Sequence, residues 1–259
     1  MSRLQREIFE IINKEDGDWA FSIQNPLTEE RFGYQEERVF SAASIIKIPI
    51  LMEVYRQDRE GSLSLGDSLV LQEKDVVGGC GVLQIMHEGL ELSVRDIAIL
   101  MITISDNTAT NMLIDLVGID KVNDLIQSVG AKVSVLRRKL MKPELAEKGI
   151  HNHLGARDVL IMLKALDQGC FLDQEACSDM LSILKLQQLN HKIPLLLPEG
   201  AVVAHKTGED TGLTHNAGII YKGDKKFYVC CLAENLPDPV RGHQVIARIA
   251  RACYDTYFE

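Results

Sequence analysis

The spacing of apolar and polar residues changes along the chain, and each change of spacing marks a new element of secondary structure. The first apolar residues recur every three or four positions behind Ser2, a favourable N-cap residue, and predict a helix over residues 2–13. Residues 19–24 then alternate like a strand, and residues 31–34 predict a second, short strand. The start of the chain is therefore predicted to supply one helix and two strands.

In the middle of the chain, from Ser44 to about residue 189, the apolar residues mostly have helical spacing. The pattern predicts helices over residues 93–104, 107–117, 123–129, 156–166 and 174–189. Residues 139–154 carry scattered charge together with Pro143 and Gly149, which is typical of a long loop.

In the last part of the chain, the pattern of apolar residues again becomes typical of strands. The pattern predicts strands over residues 201–206, 217–221 and 226–233 and a closing amphipathic helix over residues 240–257. Strands at both ends with helices between them favour an α/β fold, more narrowly α+β, in which both chain ends build one antiparallel sheet flanked by helices. We expect residues 1–43 and 198–259 to form this sheet domain, and residues 44–197 to form an all-helical insertion domain with the active site at the interface.

Composition and charge narrow the class of protein. The 259 residues are 46% hydrophobic and 25% charged, which is ordinary for a globular chain of one or two domains. The formal net charge of −9 disfavours nucleic acid and membranes as partners, because both present negative charge. The apolar run at residues 97–104 is too short to span a bilayer, and no signal peptide follows Met1, which predicts a cytoplasmic location for the chain as given. We expect a monomer that acts on a small molecule.

The six cysteines do not have the pattern of a disulfide framework. They are Cys80, Cys170, Cys177, Cys230, Cys231 and Cys253. No pair has zinc-site spacing, and we expect buried thiols in a reducing compartment, with neither a metal ion nor a cofactor. The histidines His151 and His153 are expected to be solvated on a loop, His205 to pack away from Lys206, and the basic run at residues 137–139 to lie on the loop surface.

Ser44 and Lys47 form a Ser-x-x-Lys pattern at the predicted start of a helix. Residues three apart share a helix face, so the hydroxyl and the amine can meet, and a lysine with a lowered pKa can deprotonate the serine. The pattern has little weight alone, since Ser182 and Lys185 show it on an ordinary helix face.

Two tripeptides add to the weight of this pattern. Ser-Asp-Asn at residues 105–107 follows an apolar helix and also fits a simple helix cap, whereas Lys-Thr-Gly at residues 206–208 also fits a strand end followed by a turn. Each tripeptide should occur by chance in roughly one chain in twenty. All three patterns in this order are much rarer, which indicates a shared active site.

The three motifs together resemble those of class A serine β-lactamases and penicillin-binding proteins. The resemblance extends over nearly the whole chain. Residues 42–50 are similar to the family's nucleophile segment, residues 81–83 stand where the family has Ser-Gly-Val-Leu, and His-Asn-Ala-Gly follows the third motif at residues 215–218. The resemblance implies a β-lactamase/transpeptidase-like fold and a serine hydrolase that forms an acyl-enzyme with β-lactams or related amides and esters.

The resemblance also implies catalytic roles for three residues. Ser44 would be the nucleophile and Lys47 its proton acceptor, and Ser105 would pass the proton to the departing β-lactam nitrogen.

The other motif residues would bind the substrate. Asn107 would bind its side-chain amide, and Lys206 and Thr207 would hold its carboxylate. The backbone N–H groups of Ser44 and of Glu209, the residue after Gly208, would form the oxyanion hole.

One loop departs from the family's pattern. Class A enzymes carry Glu-Pro-Glu-Leu-Asn, whose first Glu activates the deacylating water and whose Asn helps to hold that water. Here Lys142 replaces the first Glu and Ala146 replaces the Asn. An ammonium group does not accept a proton, so we expect acylation followed by impaired deacylation. Glu144 is a candidate substitute base if the loop is remodelled.

Two other functions remain open. A D-Ala-D-Ala peptidase or esterase of the same fold would be less affected by a loop without a base, and a module that binds β-lactams or cell-wall fragments would need no turnover. Family members often carry an arginine near the third motif, whereas residues 212–221 have none and His215 is the nearest basic group. The family works outside the cytoplasm, so a periplasmic or secreted location is the alternative if an export segment precedes Met1.

Overall fold

Both ends of the chain contribute strands to one five-stranded antiparallel sheet. The computed structural model describes residues 2–258. The sheet has the order β2-β1-β9-β8-β7. Its strands are β1 (Asp18–Gln24), β2 (Arg31–Tyr34), β7 (Val202–Asp210), β8 (Leu213–Lys222) and β9 (Lys225–Glu234). Two short pairs lie apart from it, β3 (Phe40–Ser41) with β6 (His153–Leu154) and β4 (Ser68–Val70) with β5 (Glu91–Ser93).

Helices cover both faces of the sheet. They are α1 (Arg3–Ile12), α2 (Lys47–Arg59), α3 (Val94–Thr103), α4 (Asn107–Val117), α5 (Ile119–Ser128), α6 (Pro143–Ala146), α7 (Ala156–Asp167), α8 (Gln174–Lys185) and α9 (Pro239–Phe258). One apolar core joins one sheet face to α1 and α9, and a second joins the opposite face to the central helices. Cys230 lies in the second core and Cys231 in the first, because neighbouring strand residues point to opposite faces.

Short polar side chains decide where several helices begin. Ser2 caps α1 and forms a capping box with Gln5. Ser93 caps α3, Asp106 caps α4 and Asp173 caps α8, in each case by accepting a hydrogen bond from a backbone N–H of the first turn. These caps fix the ends of the helices that carry the candidate site residues.

The predicted fold, with a sheet built from both chain ends and helices between them, is confirmed, and several predicted boundaries are wrong. Helix α5 begins four residues earlier than expected, at Ile119. Helix α8 ends at Lys185 because the buried side chain of Gln187 donates to the carbonyl of Ile102 and so holds the chain against α3. The predicted loop at residues 139–154 contains α6 and β6.

Other predictions about this part of the molecule have mixed outcomes. Strand β7 extends through the third motif, further than predicted. Residues 203–208 are buried on both faces, so apolar and polar positions do not alternate there. The strands β4 and β5 were not predicted. Cys80 and Cys170 are exposed free thiols, contrary to the expectation of burial. The division into two domains stays a prediction. Within residues 2–258, no helix is both long and apolar enough to cross a bilayer.

Candidate active site

Ser44 lies in a tight turn at the entrance to the central helix. A 3-10 turn spans Ala43–Ile46 and leads directly into α2, so Lys47 is the first residue of that helix. The nine residues from Lys47 to Tyr55 are all buried, which fixes the helix on every side. Ala43 has a φ of 41°, an uncommon left-handed conformation for a residue other than glycine. Backbone strain of this kind concentrates at functional sites.

The second motif meets Lys47 in the interior. Lys47 Nζ donates to the carbonyl oxygen of Ser105 at 2.8 Å, to its hydroxyl oxygen at 2.9 Å and to Asn107 Oδ1 at 2.9 Å. Ser105 also has a left-handed backbone, with a φ of 58°. The contact from Lys47 to the Ser105 carbonyl helps to hold this conformation, which directs the hydroxyl toward the lysine.

The third motif brings a second lysine to the same hydroxyl. Lys206 Nζ donates to Ser105 Oγ at 3.1 Å and to the carbonyl oxygen of Thr207 at 2.9 Å. Lys47 and Lys206 are both fully buried. Burial lowers the pKa of Lys47 to about 7. Burial, followed by the nearby charges of Lys47 and Lys192, holds the pKa of Lys206 well below its ordinary value. The two amines therefore titrate as a linked pair.

Gly208 allows β7 to pass directly against the Ser44 turn. A Cβ atom on Gly208 would lie 3.2 Å from Ala43 Cβ and 3.3 Å from the backbone nitrogen of Ser44. Such contacts are tighter than side chains normally accept, so the close approach favours glycine. Glu209, the next residue, lines the same cleft as Ser44.

Lys192 is a third buried lysine that the sequence analysis missed. Its Nζ donates to the carbonyl oxygens of Gly208 at 2.9 Å and His215 at 3.1 Å, and it pairs with Glu209 Oε1 at 2.9 Å. Burial lowers its pKa to about 8, although the Glu209 carboxylate opposes the shift. The only sequence signal is a lysine directly before the apolar run that starts at Ile193, which is weak.

His215 does not supply a positive charge near the third motif. Its Nδ1 accepts from the backbone N–H of Ala233 at 3.1 Å, so its Nε2 carries the proton and donates to the carbonyl of Ser41 at 2.8 Å. Burial lowers the pKa of His215 to about 4, which keeps the ring neutral. The positive potential behind the cleft therefore comes from Lys192.

A cleft runs past Ser44 between the helices and the sheet. It is lined by Ser41, Ala43, Ser44, Asn107, Arg138, Leu140, Met141, Asn152, Glu209 and Asp210. Arg138, expected on the loop surface, forms part of this wall and donates from Nε to the carbonyl of Ile150 at 2.8 Å. Among the described residues, the lining includes neither Lys142 nor Glu144, and Glu144 is exposed on α6. The candidate substitute base thus does not line the cleft that holds Ser44.

Asp106 joins the second motif to the loop at residues 81–83. Its carboxylate accepts from the backbone N–H groups of Val82 at 2.7 Å, Leu83 at 2.8 Å and Ala109 at 2.9 Å. Gly81 has a φ of 110°, and a Cβ there would lie 2.2 Å from the Asp106 carboxylate. The Asp106 carboxylate thus ties the start of α4 to the loop at residues 81–83.

The predicted site residues fall into one group, with one exception. Ser44, Lys47, Ser105 and Asn107 meet the strand that carries Lys206, Thr207, Gly208 and Glu209. Glu144 lies outside it. The roles of these residues stay predictions. The arrangement offers the Ser44 hydroxyl in the turn directly before a lysine that can be neutral near pH 7, a second hydroxyl between two amines, and the positive charge of Lys192 behind Gly208.

Comparisons with known proteins point in the same direction. The family model described as "Beta-lactamase enzyme family" matches residues 3–257. The extended-spectrum beta-lactamase PER-1 of Pseudomonas aeruginosa is 25% identical over 229 residues, which cover 83% of this chain and 74% of that protein. A Proteus vulgaris beta-lactamase is 26% identical over 214 residues, which cover 79% of this chain and 77% of that protein.

Solved structures share the whole fold. The beta-lactamase of Sphaerobacter thermophilus is 37% identical with a TM-score of 0.91, over 98% of this chain and 96% of that chain. PBP-A is 26% identical with a TM-score of 0.91, over 99% of this chain and 96% of that chain. A mutant of PBP-A, 27% identical with a TM-score of 0.88 over 98% of this chain and 96% of that chain, was solved as an acyl-enzyme complex with penicillin G.

Proposed function

The chain belongs to the beta-lactamase enzyme family, and on that premise we propose that it is a class A-like serine hydrolase that forms an acyl-enzyme on Ser44 with β-lactams. The observation that carries this proposal is the buried cluster in which Lys47 and Lys206 both bond to the hydroxyl of Ser105 beside the Ser44 turn. Burying two amines around one hydroxyl is costly, and folding alone does not require it. The cluster has the composition needed to activate a serine and to bind an anion.

Acylation follows from this arrangement through a tetrahedral intermediate. Neutral Lys47 accepts the proton of the Ser44 hydroxyl while the oxygen attacks the carbonyl carbon of the β-lactam. The C–N bond of the ring breaks, and the Ser105 hydroxyl delivers a proton to the departing nitrogen, which it regains through Lys47. The backbone N–H groups of Ser44 and Glu209 stabilise the negative charge on the carbonyl oxygen.

Binding of the substrate uses the remaining polar groups. Lys206 and Thr207 hold the substrate carboxylate, with Lys192 adding positive potential behind Gly208. Asn107 lines the cleft and is placed to contact the side-chain amide of the substrate. A bound carboxylate favours the charged form of Lys206, and the repulsion between the two linked amines then favours neutral Lys47. Substrate binding therefore prepares the base.

Deacylation lacks the base that class A enzymes carry on the loop at residues 142–146. Lys142 and Ala146 stand where class A enzymes have the catalytic Glu and the water-holding Asn, and Glu144 is exposed outside the cleft. The side chain on the cleft wall at Arg138 is a cation, which does not accept a proton from water. The proposal therefore includes slow hydrolysis of the acyl-enzyme.

A chromogenic cephalosporin separates the two steps. We expect a burst of about one equivalent of product followed by slow turnover, because acylation precedes a step without a base. Intact-mass measurement during the reaction should show the protein carrying one covalent adduct, mapped to Ser44 by peptide analysis. Sustained turnover with no trapped adduct would overturn the proposal of slow deacylation, and loss of that turnover in Glu144→Gln would identify Glu144 as the base.

The rate of acylation should depend on pH through Lys47. The lysine acts as a base only when neutral, and its pKa, lowered by burial, is about 7. The neutral fraction grows as the pH rises, so the second-order rate of adduct formation should rise with pH up to about 7 and level off above it. Stopped-flow measurement of adduct formation from pH 5 to about pH 9 tests this, with the range centred on the expected value. The Lys47→Arg variant should lose this profile, since arginine stays charged. A rate that falls as the pH rises through this range would contradict the assignment of Lys47 as the base.

A peptidase acting on D-Ala-D-Ala peptides is the second candidate. It is favoured by the missing base in the loop at residues 142–146 together with the structural similarity to PBP-A. Release of D-alanine from such a peptide, without sustained cephalosporin hydrolysis, would select this function. Hydrolysis of the cephalosporin without release of D-alanine would select the β-lactamase.

A further inference from the structure

Two histidines and one glutamate converge beside the end of β7. His191 comes from the segment after α8, Glu209 from β7 and His243 from the first turn of α9. His191 Nε2 lies 2.7 Å and His243 Nε2 lies 2.9 Å from the same oxygen of Glu209, Oε1. The candidate donor atoms of the three residues all lie within 4.8 Å of one another. Three separate elements therefore direct ligand-type atoms at one point.

The geometry is close to that of a metal-bound set. Imidazole and carboxylate ligands bind Zn²⁺ at about 2.0–2.2 Å, which places ligand atoms about 3.3 Å apart around a tetrahedral ion. Small rotations of the side chains would widen the present contacts of 2.7 and 2.9 Å to that separation. The side chains are 39% (His191), 46% (Glu209) and 16% (His243) exposed, so an ion can enter from solvent and keep a water ligand.

The Glu209 carboxylate can turn toward an ion without leaving Lys192 unpaired. Lys192 Nζ contacts Oε1 of Glu209, but it also donates to the carbonyl oxygens of Gly208 and His215. Its charge thus remains solvated if Glu209 turns, and a carboxylate has a second oxygen with its own lone pairs. Two imidazoles and one carboxylate suit Zn²⁺, Co²⁺, Ni²⁺ and Cu²⁺ better than Mg²⁺ or Ca²⁺, which prefer oxygen ligands.

We propose that His191, Glu209 and His243 form a binding site for a divalent transition-metal ion, with Zn²⁺ as the reference ion. No metal ion was expected from the cysteine spacing or from His151 and His153, and the three residues proposed here lie far apart along the chain. A bound ion would tie the end of β7 to α9 and to the segment after α8. Since Glu209 also lines the cleft beside Ser44, the ion would fix one edge of that cleft. This inference does not depend on the proposed reaction of Ser44.

Metal titration of the full chain tests the site. We expect calorimetry with Zn²⁺ to show one site, and Co²⁺ to give visible d–d absorption bands without thiolate charge-transfer bands. Even indirect partners of metal ligands contribute roughly 10- to 100-fold in affinity. We therefore expect His191→Ala and His243→Ala each to weaken binding by about 100-fold or more. Hydrogen exchange at residues 208–210 should slow when Zn²⁺ is added to the unsubstituted chain.

Matched controls separate this site from other binders of metal. His151 and His153 form another histidine pair, with stacked rings whose centroids lie 6.4 Å apart, and His151→Ala should leave the affinity unchanged. The exposed thiols are tested in the Cys80→Ser/Cys170→Ser variant, which should also bind normally. Without added metal, the substituted proteins should unfold at the same temperature as the unsubstituted chain, which would show that the substitutions leave the fold intact. Absence of one-site binding, or binding that survives both His191→Ala and His243→Ala, would overturn the proposal.

Discussion

Replacing Ser44 with alanine should abolish covalent labelling by β-lactams. The hydroxyl oxygen forms the only bond between enzyme and acyl group in the proposed reaction, so its removal leaves no route to the adduct. Loss of a serine nucleophile lowers the rate of comparable hydrolases on the order of a millionfold. Intact-mass measurement after incubation with penicillin G should show full labelling of the unsubstituted protein and none of Ser44→Ala.

The chain supplies its own control for this experiment. Ser182 and Lys185 repeat the Ser-x-x-Lys pattern on α8, where Ser182 Oγ donates to the carbonyl of Ser178 at 2.8 Å. Lys185 lies over the ring of Tyr221 at 4.7 Å from its centroid, away from the cleft. Ser182→Ala should be labelled as fast as the unsubstituted protein. Labelling that persists in Ser44→Ala, or is lost in Ser182→Ala, would disprove the assignment of Ser44.

Replacing Asp106 with alanine should cause a large loss of stability. The carboxylate is buried and accepts three backbone N–H groups, from Val82, Leu83 and Ala109. Each buried donor left without a partner costs about 1–3 kcal/mol. We expect the free energy of unfolding to fall by about 3–5 kcal/mol, measured by denaturant titration.

Asp173 provides the comparison for Asp106. It caps α8 by accepting from Ala176 N at 2.9 Å, but its side chain is 50% exposed, so water can replace it. Asp173→Ala should therefore cost only about 1 kcal/mol. Equal losses in the two variants would show that Asp106 acts only as a helix cap and does not organise the loop at residues 81–83.

The sequence predicts the elements of this fold well where one face of each element is exposed. The capped, amphipathic helices α1 and α3 have clear periodicity and polar caps, so their limits are nearly as expected. Residues 203–208 of β7 are buried on both faces, which removes the alternation on which prediction depends. Its extension through the third motif was therefore visible only in the pairing with β8.

The residues of the candidate site also divide into those that the sequence identifies and those that it does not. The residues of the three motifs are close together in the chain or match a family pattern, so the sequence identifies them. Lys192, Arg138 and the histidine cluster come from segments without a motif. The packing of β7, β8 and α9 brings Lys192 and the histidines together, and hydrogen bonds to Ile150 and Asn152 hold Arg138 at the cleft. Contacts of this kind depend on strand register and helix placement, which single-sequence patterns do not encode.

The pairing of β1 with β9 also shapes the order of events during synthesis. Asp18 and Asn235 are hydrogen-bonded to one another although they are 217 residues apart in sequence. As the chain leaves the ribosome, one edge of β1 stays open until synthesis has passed β9 and that strand can cover it. Contacts of such high order form slowly, and an open strand edge meanwhile attracts other chains. The helices of the middle segment can pack earlier through local contacts, whereas the sheet that carries Lys206 is complete only after β9 has been made.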